Sequence, residues 1–363
     1  MQHTPLNMGI GLNPIFTSHP EFIPDFIDFV ECGPDDLPKL ATNRLTQNLF
    51  LHIARSPICD DVLSQDKFIS AIAAKTKNHD FTSIGLHVTG PRLSGIGCYG
   101  FSSHYTPSKE NEELISGFVK KIQDKFGKPV WLENVNFYSE SKGAVFRVHE
   151  SINHIADRCQ ASQIADLTHL YVDAHNVGVD ETALIGAINW ASVVEIHLAG
   201  TITSRNGVKH DGHSNPVPDQ VWHLYEKIVD YRLIDSEVIV TIEHTDPSWL
   251  DDIDGFKADY IKAADTKNRL SKSAVLPFEL EPGQFAIGYI KRKIRQRLPH
   301  IDEVLNEHDH TMEQMLDAWL AQLAADGINL VLSEAEADLF WRGGQAEFYG
   351  ESFVHFCNNR LGL

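Results

Sequence analysis

Basic residues are scarce in this 363-residue chain: 31 Lys+Arg stand against 50 Asp+Glu, a net charge of −19 with His neutral. A surface this negative repels phosphate backbones, which excludes a general nucleic-acid binder. Long apolar runs are also missing. A membrane helix needs about 20 mostly apolar residues in succession, and here charge or His interrupts each run well short of that, so no span and no membrane partner is expected. The first 20 residues hold no Lys or Arg, and Asn7, Asn13 and His19 break their apolar stretch. That is not a secretory signal, and a cytoplasmic location is the expectation. Cysteine is sparse and scattered: Cys32, Cys59, Cys98, Cys159 and Cys357 form no CxxC pair, which fits reduced thiols better than a disulfide framework or a thiolate zinc site. No GxGxxG turn follows the first apolar run, where GIGLNP stands, and this argues against an open dinucleotide-binding sheet.

Histidine is what the chain has in quantity, with 19 residues, on a background of 42% hydrophobic residues typical of a globular protein. Domains run to roughly 100–200 residues and barrels to about 250, so the length predicts one large domain plus a smaller one. Apolar, β-branched runs bounded by turn residues mark eight strands, beginning near Met8, Phe26, Asn48, Ser83, Pro129, His169, Val193 and Val238. Stretches with helical spacing lie between most of them, such as Glu112 to Phe126 and Gln220 to Tyr231. Such alternation is the mark of a parallel sheet. Eight units match a (β/α)8 TIM barrel, although the first spacing, Met8 to Phe26, is short for a full helix.

The strand ends carry the functional signal. They read GIGLN, DFVEC, LFLHIA, IGLHVTG, VWLENV, LYVDAHN, VEIHLAG and VTIEHTD. Asn13, Glu31, His52, His87, Glu133, Asp173, His197 and Glu243 are therefore expected at one rim, where barrel enzymes build their active sites. Any one of them alone could be a satisfied core or loop residue. Together they cannot, because desolvated charges of like sign are not crowded into a barrel mouth without cations. Glu31 is the weakest member and a candidate supporting group. His175 and Asn176 follow in DAHN, and Asp211 and His213 lie in KHDGH after the seventh strand; the D-x-H spacing suits one metal ion, while His210 reads as a solvated turn residue. Imidazole and carboxylate ligands without thiolate suit iron, manganese or zinc. About ten candidates exceed the three to six of a single ion, so more than one ion is expected, with Glu133 placed to bridge.

These motifs also resemble a known family. GIGL, LHIA at His52, LEN at Glu133, VDAHN, EIHLAG, DGHSNPVPDQVWHLY and IEHTD, over roughly residues 8 to 250, are similar to the multinuclear non-heme iron-dependent oxidative enzymes of the MbnB and TglH type. The resemblance implies a TIM barrel with two or three irons, dioxygen as co-substrate, and a cysteine-containing, ribosomally made precursor peptide presented by a small partner protein. It implies that Glu133, Asp173, His197 and Glu243 hold one iron, that His52 and His87 hold a second bridged through Glu133, and that Asp211 and His213 with Asn176 or His175 form the third site. The chain departs from the family pattern at Leu86, at Val177 and Gly178 after DAHN, and at Thr201 after EIHLAG.

Beyond about residue 265 the composition shifts, which divides the chain into a catalytic barrel over 1–264 and a small, mainly helical extension over 265–363. KRKIRQR supplies a basic cluster of Lys291, Arg292, Lys293, Arg295 and Arg297. It reads either as the solvated face of a helical module or as a docking surface for an acidic leader or partner. EHDH at 307–310 reads as helix capping with exposed imidazoles. Three functions compete. The first is oxidative modification of a peptide cysteine. The second is a zinc- or manganese-dependent hydrolase or isomerase of the sugar-isomerase or abasic-site-endonuclease type. The third is a non-catalytic metal-binding scaffold, which a rim so rich in ligands disfavours. Dependence on ferrous iron and oxygen separates the first from the second.

Overall fold

The structure, a computed structural model, describes residues 6–272 except 39, 41–47, 92–104, 138, 140 and 206. The basic cluster, EHDH and most of the predicted extension lie outside the described residues. Eight parallel strands close into a barrel: β1 (Met8–Gly11), β2 (Phe29–Cys32), β3 (Asn48–Ile53), β4 (Ile84–His87), β5 (Val130–Glu133), β6 (Ser162–Asp166), β7 (Val193–Leu198) and β10 (Ile239–Ile242), which pairs with β1. The antiparallel hairpin of β8 (Thr201–Thr203) and β9 (Lys209–Asp211) stands above β7.

Helices follow most strands, and their starts are written in the sequence. Asp61, Ser108 and Ser141 each accept a backbone N–H from the first turn of helices Val62–Thr76, Lys109–Phe126 and Lys142–Cys159, satisfying one of the orphan donors there. The short first connection holds two 3-10 turns, Pro14–Thr17 and Pro20–Phe22, rather than a helix. The sixth strand is not where the apolar run predicts it. LTHLYVDAHNV forms helix Leu167–Val177, and the strand is the preceding Ser162–Asp166. Residues Leu167 to Ala174 are all buried, so this helix lacks the polar face that would reveal its 3.6-residue period.

Period-two alternation sorts the strands into layers. Outward-facing Ile84, Val130, Leu132 and Leu51 pack beneath helices Val62–Thr76, Lys109–Phe126 and Lys142–Cys159; Met8, Ile196, Leu198, Val240 and Ile242 pack beneath the helices of the other half. Inside the barrel, Phe50, Trp131, Ile164 and Ile239 form a separate apolar plug. Two residues further along the same strands, each plug residue is followed by a polar one: His52, Glu133, Asp166 and Thr241. The plug thus closes the floor of the barrel and leaves the polar layer above it.

The last helix among the described residues, Ile253–Lys272, runs across residue 265 and ties the strand starts together. Lys267 is 2% exposed, and its Nζ donates to the carbonyls of Asn7 and Val238, at the entry to β1 and β10. Burial pulls its pKa from 10.5 down to about 7. Between these values the unfolded chain keeps a proton that the folded chain sheds, so this group makes stability rise as pH climbs from about 7 toward 10. Lys267→Met should flatten that rise, as urea unfolding at pH 7 and pH 9 would read; an unchanged difference between the two pH values would mean that the lysine stays charged in the fold.

Candidate metal centre

Each polar residue of the upper layer comes from a strand end, so the backbone is rigid where the chemistry lies. His87 and Glu133 are register partners at the ends of β4 and β5. Asp166 and His197 are partners across β6 and β7, and Glu195, two residues before His197, shares its inward face. Glu243 follows β10. The ring of His52 fits because position 85 is glycine: a Cβ there would meet His52 Nδ1 at 2.8 Å.

Glu133 stands at the centre with no exposure. Its Oε2 lies 3.3 Å from Nε2 of both His52 and His87, and 3.7 Å from His197 Nδ1. The two Nε2 atoms of His52 and His87 are themselves 2.8 Å apart. On the other side, Glu133, Asp166, His197 and Glu243 bring one ligand atom each within 4.8 Å of one another. Nearer the mouth, Asp211 Oδ2 faces His213 Nε2 at 2.5 Å and His169 Nε2 at 3.5 Å, and Glu243 Oε2 lies 3.7 Å from His213. His52, His87, His169, Asp211, His213 and Glu243 line a cavity of about 480 Å³ together with Leu12, Pro14, Asp246 and Pro247.

The carboxylate and imidazole atoms crowd one another at ion-pair distance, yet many of them make no well-aligned hydrogen bond. Both oxygens of Glu133, Oδ2 of Asp166, both ring nitrogens of His197, Nε2 of His213 and Oδ1 of Asp211 are buried without a hydrogen bond of ordinary geometry. Buried polar atoms are satisfied in the great majority of cases, so this concentration fits a site built for cations.

The sequence agrees with a family. The model of the RiPP precursor modification enzymes MbnB/TglH/ChrH matches residues 7–246. The chain belongs to that family. Relatives of this MbnB/TglH/ChrH protein include a UPF0276 protein of Chromobacterium violaceum, 31% identical over 117 residues, which is 32% of this chain and 42% of the relative. Another, from Shewanella amazonensis, is 25% identical over 225 residues, 60% of this chain and 80% of the relative. The chain spans about half or less of the Chromobacterium and Caulobacter vibrioides relatives, 42% and 49% of their lengths. Among solved structures, a xylose isomerase-like TIM barrel protein from Mycobacterium smegmatis in complex with magnesium aligns with a TM-score of 0.49 at 12% identity, over 73% of this chain and 98% of that one.

Of the residues expected at the rim of this family member, His52, His87, Glu133, His197, Glu243, Asp211 and His213 converge. Glu31 is in the cavity wall. Asn13 is at the rim, buried, and donates to the backbone carbonyls of His244 and Asp246, tying the loops after β1 and β10. Asp173, His175 and Asn176 do not join the cluster, because helix Leu167–Val177 carries them away from it. Asp173 accepts the Phe137 N–H with both oxygens at 3.1 Å. His175 is exposed, with Nε2 3.4 Å from the Gly207 carbonyl. Asn176 binds the backbone of Lys209. The strand-end acid is instead Asp166, and His169 enters from the first helical turn. Asp166 caps that helix by accepting the His169 N–H at 2.7 Å. An Asp three residues before a His at the start of an apolar run was the available signal. Glu195, two residues before His197, also faces inward and is held by Thr241.

Burial and charge push the titrating groups apart. Burial alone would strip the proton from His52, but the carboxylates of Glu31 and Glu133 overcome it and raise the pKa to about 9. Against its own desolvation, Glu133 is held below the usual carboxylate range by His87, His197 and His52. Asp166 goes the other way, pushed up to about 7 by burial despite His169. Burial also raises Glu195, with Glu31 adding to it. The placement of Asp173 makes a direct prediction. Asp173→Ala leaves the buried Phe137 N–H without its acceptor and should cost ~1–3 kcal/mol of stability, read by chemical unfolding, while the metal content of the protein stays unchanged. Loss of metal without loss of stability would return Asp173 to the site.

Proposed function

We propose that this protein oxidises a cysteine residue of a ribosomally made precursor peptide, using two or three irons held at the barrel mouth and dioxygen as co-substrate. The observation that carries this reading is the set of buried carboxylates and imidazoles clustered on both sides of Glu133, many of whose ligand atoms lack a hydrogen bond of ordinary geometry, in a chain that belongs to a family of RiPP precursor modification enzymes. His52, His87 and Glu133 would hold one ion; Glu133, Asp166, His197 and Glu243 a second; and Asp211, His213 and His169 a third. Imidazole and carboxylate donors suit ferrous iron, which when bound supplies a Lewis acid and a one-electron reductant for dioxygen.

The chain's own residues would do the rest. None of the proposed ligands is a thiolate, which keeps coordination room for a substrate sulfur. The cavity, bordered by Leu12, Pro14 and Pro247 among others, is large enough for a side chain with its flanking backbone, and the apolar plug lies beneath the ligand layer. His169 donates Nδ1–H to the Asn134 carbonyl at 2.8 Å, which leaves Nε2 bare toward Asp211. His213 Nδ1 meets Thr245 Oγ1 at 2.8 Å, which likewise turns Nε2 inward. Fixing the ring through its outer nitrogen is how proteins orient imidazole ligands. A small partner protein that presents the peptide and a reducing, cytoplasmic setting belong to the same proposal; the buried thiols Cys32, Cys59 and Cys159 agree with the latter. No helix among the described residues is long and apolar enough to cross a membrane.

Two outcomes are expected. Protein prepared without oxygen should carry two or three irons by elemental analysis, and Glu133→Ala should lower occupancy at two of them together; loss of a single ion would remove the bridging role. Incubated with a cysteine-containing precursor peptide and ferrous iron, the protein should change the peptide's mass only when oxygen is present and only while the cysteine is intact. Equal conversion without oxygen would replace the oxidative reading with a hydrolytic or isomerising one.

A further inference from the structure

Glu31 is 4% exposed and lies beside two rings that face different ions in the reading above. Its Oε1 is 2.9 Å from Nδ1 of His52, and its Oε2 is 3.3 Å from Nε2 of His197. Those are the ring nitrogens opposite to the ones that approach Glu133: His52 turns Nε2 to Glu133 at 3.3 Å, and His197 turns Nδ1 to it at 3.7 Å. The two histidines therefore present opposite nitrogens to the centre, which neutral imidazoles can do only as opposite tautomers. Spanning both rings, one carboxylate aligns ideally with neither, and Oε2 is left without a hydrogen bond of ordinary geometry.

Resting on the metal-centre reading, we propose that Glu31 is a positioning residue shared by two sites: it takes the Nδ1–H of His52 and the Nε2–H of His197, and so selects at once the donor nitrogen offered to each ion. Three observations on the same strands support it. Glu195 lies 3.6 Å from His197 Nε2, but Thr241 already donates to it. Gly85 gives the His52 ring the space to lie against Glu31. The period-two pattern of β2 aims Glu31 into the barrel, with Phe29 of the same face packed against the plug below.

The test is anaerobic titration of Co(II) into the metal-free full-length chain, following the d–d absorption bands, together with thermal unfolding of the metal-free protein. Glu31→Gln can accept from one ring only and turns its amide donor toward the other. Removal of a partner of this kind typically costs 10–100-fold in metal affinity. The expected result is that two Co(II) ions weaken together by that factor with altered bands, while the metal-free variant unfolds at the same or a higher temperature because a buried carboxylate is gone. A residue that merely held the fold would lower both. Weakening of one ion only, disappearance of one ion with the others untouched, or unchanged affinity overturns the inference. If the wild-type chain binds no Co(II), the metal-centre reading itself falls, whatever the variant does. Should Glu31→Gln not fold, Glu31→Asp, too short to span both rings, decides by the same two readings.

Discussion

The mouth of this barrel depends on how Glu133 is neutralised. An ion taken into a protein interior carries a penalty of several kcal/mol, whereas an ordinary hydrogen bond returns only about 1 kcal/mol. Glu133 has no exposure and no hydrogen bond of ordinary geometry; what faces it are His52, His87, His197 and His169. Imidazolium rings could balance one carboxylate, but here they would also be buried at each other's expense, with two nitrogens 2.8 Å apart. Metal cations remove the conflict. Bound there, they would accept lone pairs from neutral rings and from the carboxylate together, so the same atoms would become satisfied.

The scaffold around that centre is built to withstand the unbalanced charge. The plug of Phe50, Trp131, Ile164 and Ile239 forms a dry floor two residues below the ligands. Immediately after Glu133, the side chain of Asn134 donates to the Asp166 carbonyl and accepts the Asp166 N–H, while its own carbonyl holds His169. One residue thus locks the end of β6 and the first turn of the next helix to the end of β5. Movement of Glu133 would carry Asp166 and His169 with it, which keeps the ligand atoms of separate strands in one frame.

Much of this was legible in the sequence, and the limits have a physical cause. Seven of the eight strands appear where β-branched runs predict them, because strands that are buried on both faces are short apolar stretches bounded by turns. His52, His87, Glu133, His197 and Glu243 were readable for the same reason: each ends such a run. The sixth strand escaped because SQIAD has little β-forming character, whereas the all-buried helix after it is rich in Leu, Tyr and Val and shows no polar face. That one displacement moved the expected acid from Asp166 to Asp173 and hid His169. Glu195 shares the inward face of His197 by the period of two, but it lies mid-strand, where a search of strand ends does not look.

The displaced helix also changes what Asn176 does. Read as a strand-end residue, it is a candidate ligand; on the helix it accepts the Lys209 N–H at 2.8 Å and donates to the Lys209 carbonyl at 2.9 Å. A side-chain amide that pairs with both groups of one residue acts as an extra strand position, so it holds the β8–β9 hairpin against the barrel two residues before Asp211. Asn136, from the loop that begins at Glu133, accepts the Asp211 N–H at 3.3 Å from the other side. Asp211 is therefore aimed at His169 and His213 by two amides that never reach the cavity. The mouth-side cluster is assembled from a hairpin, a helix start and a loop, none of which a strand-end count can locate. It can form only because the helix that removes Asn176 from the ligand set also anchors the hairpin that brings Asp211 in.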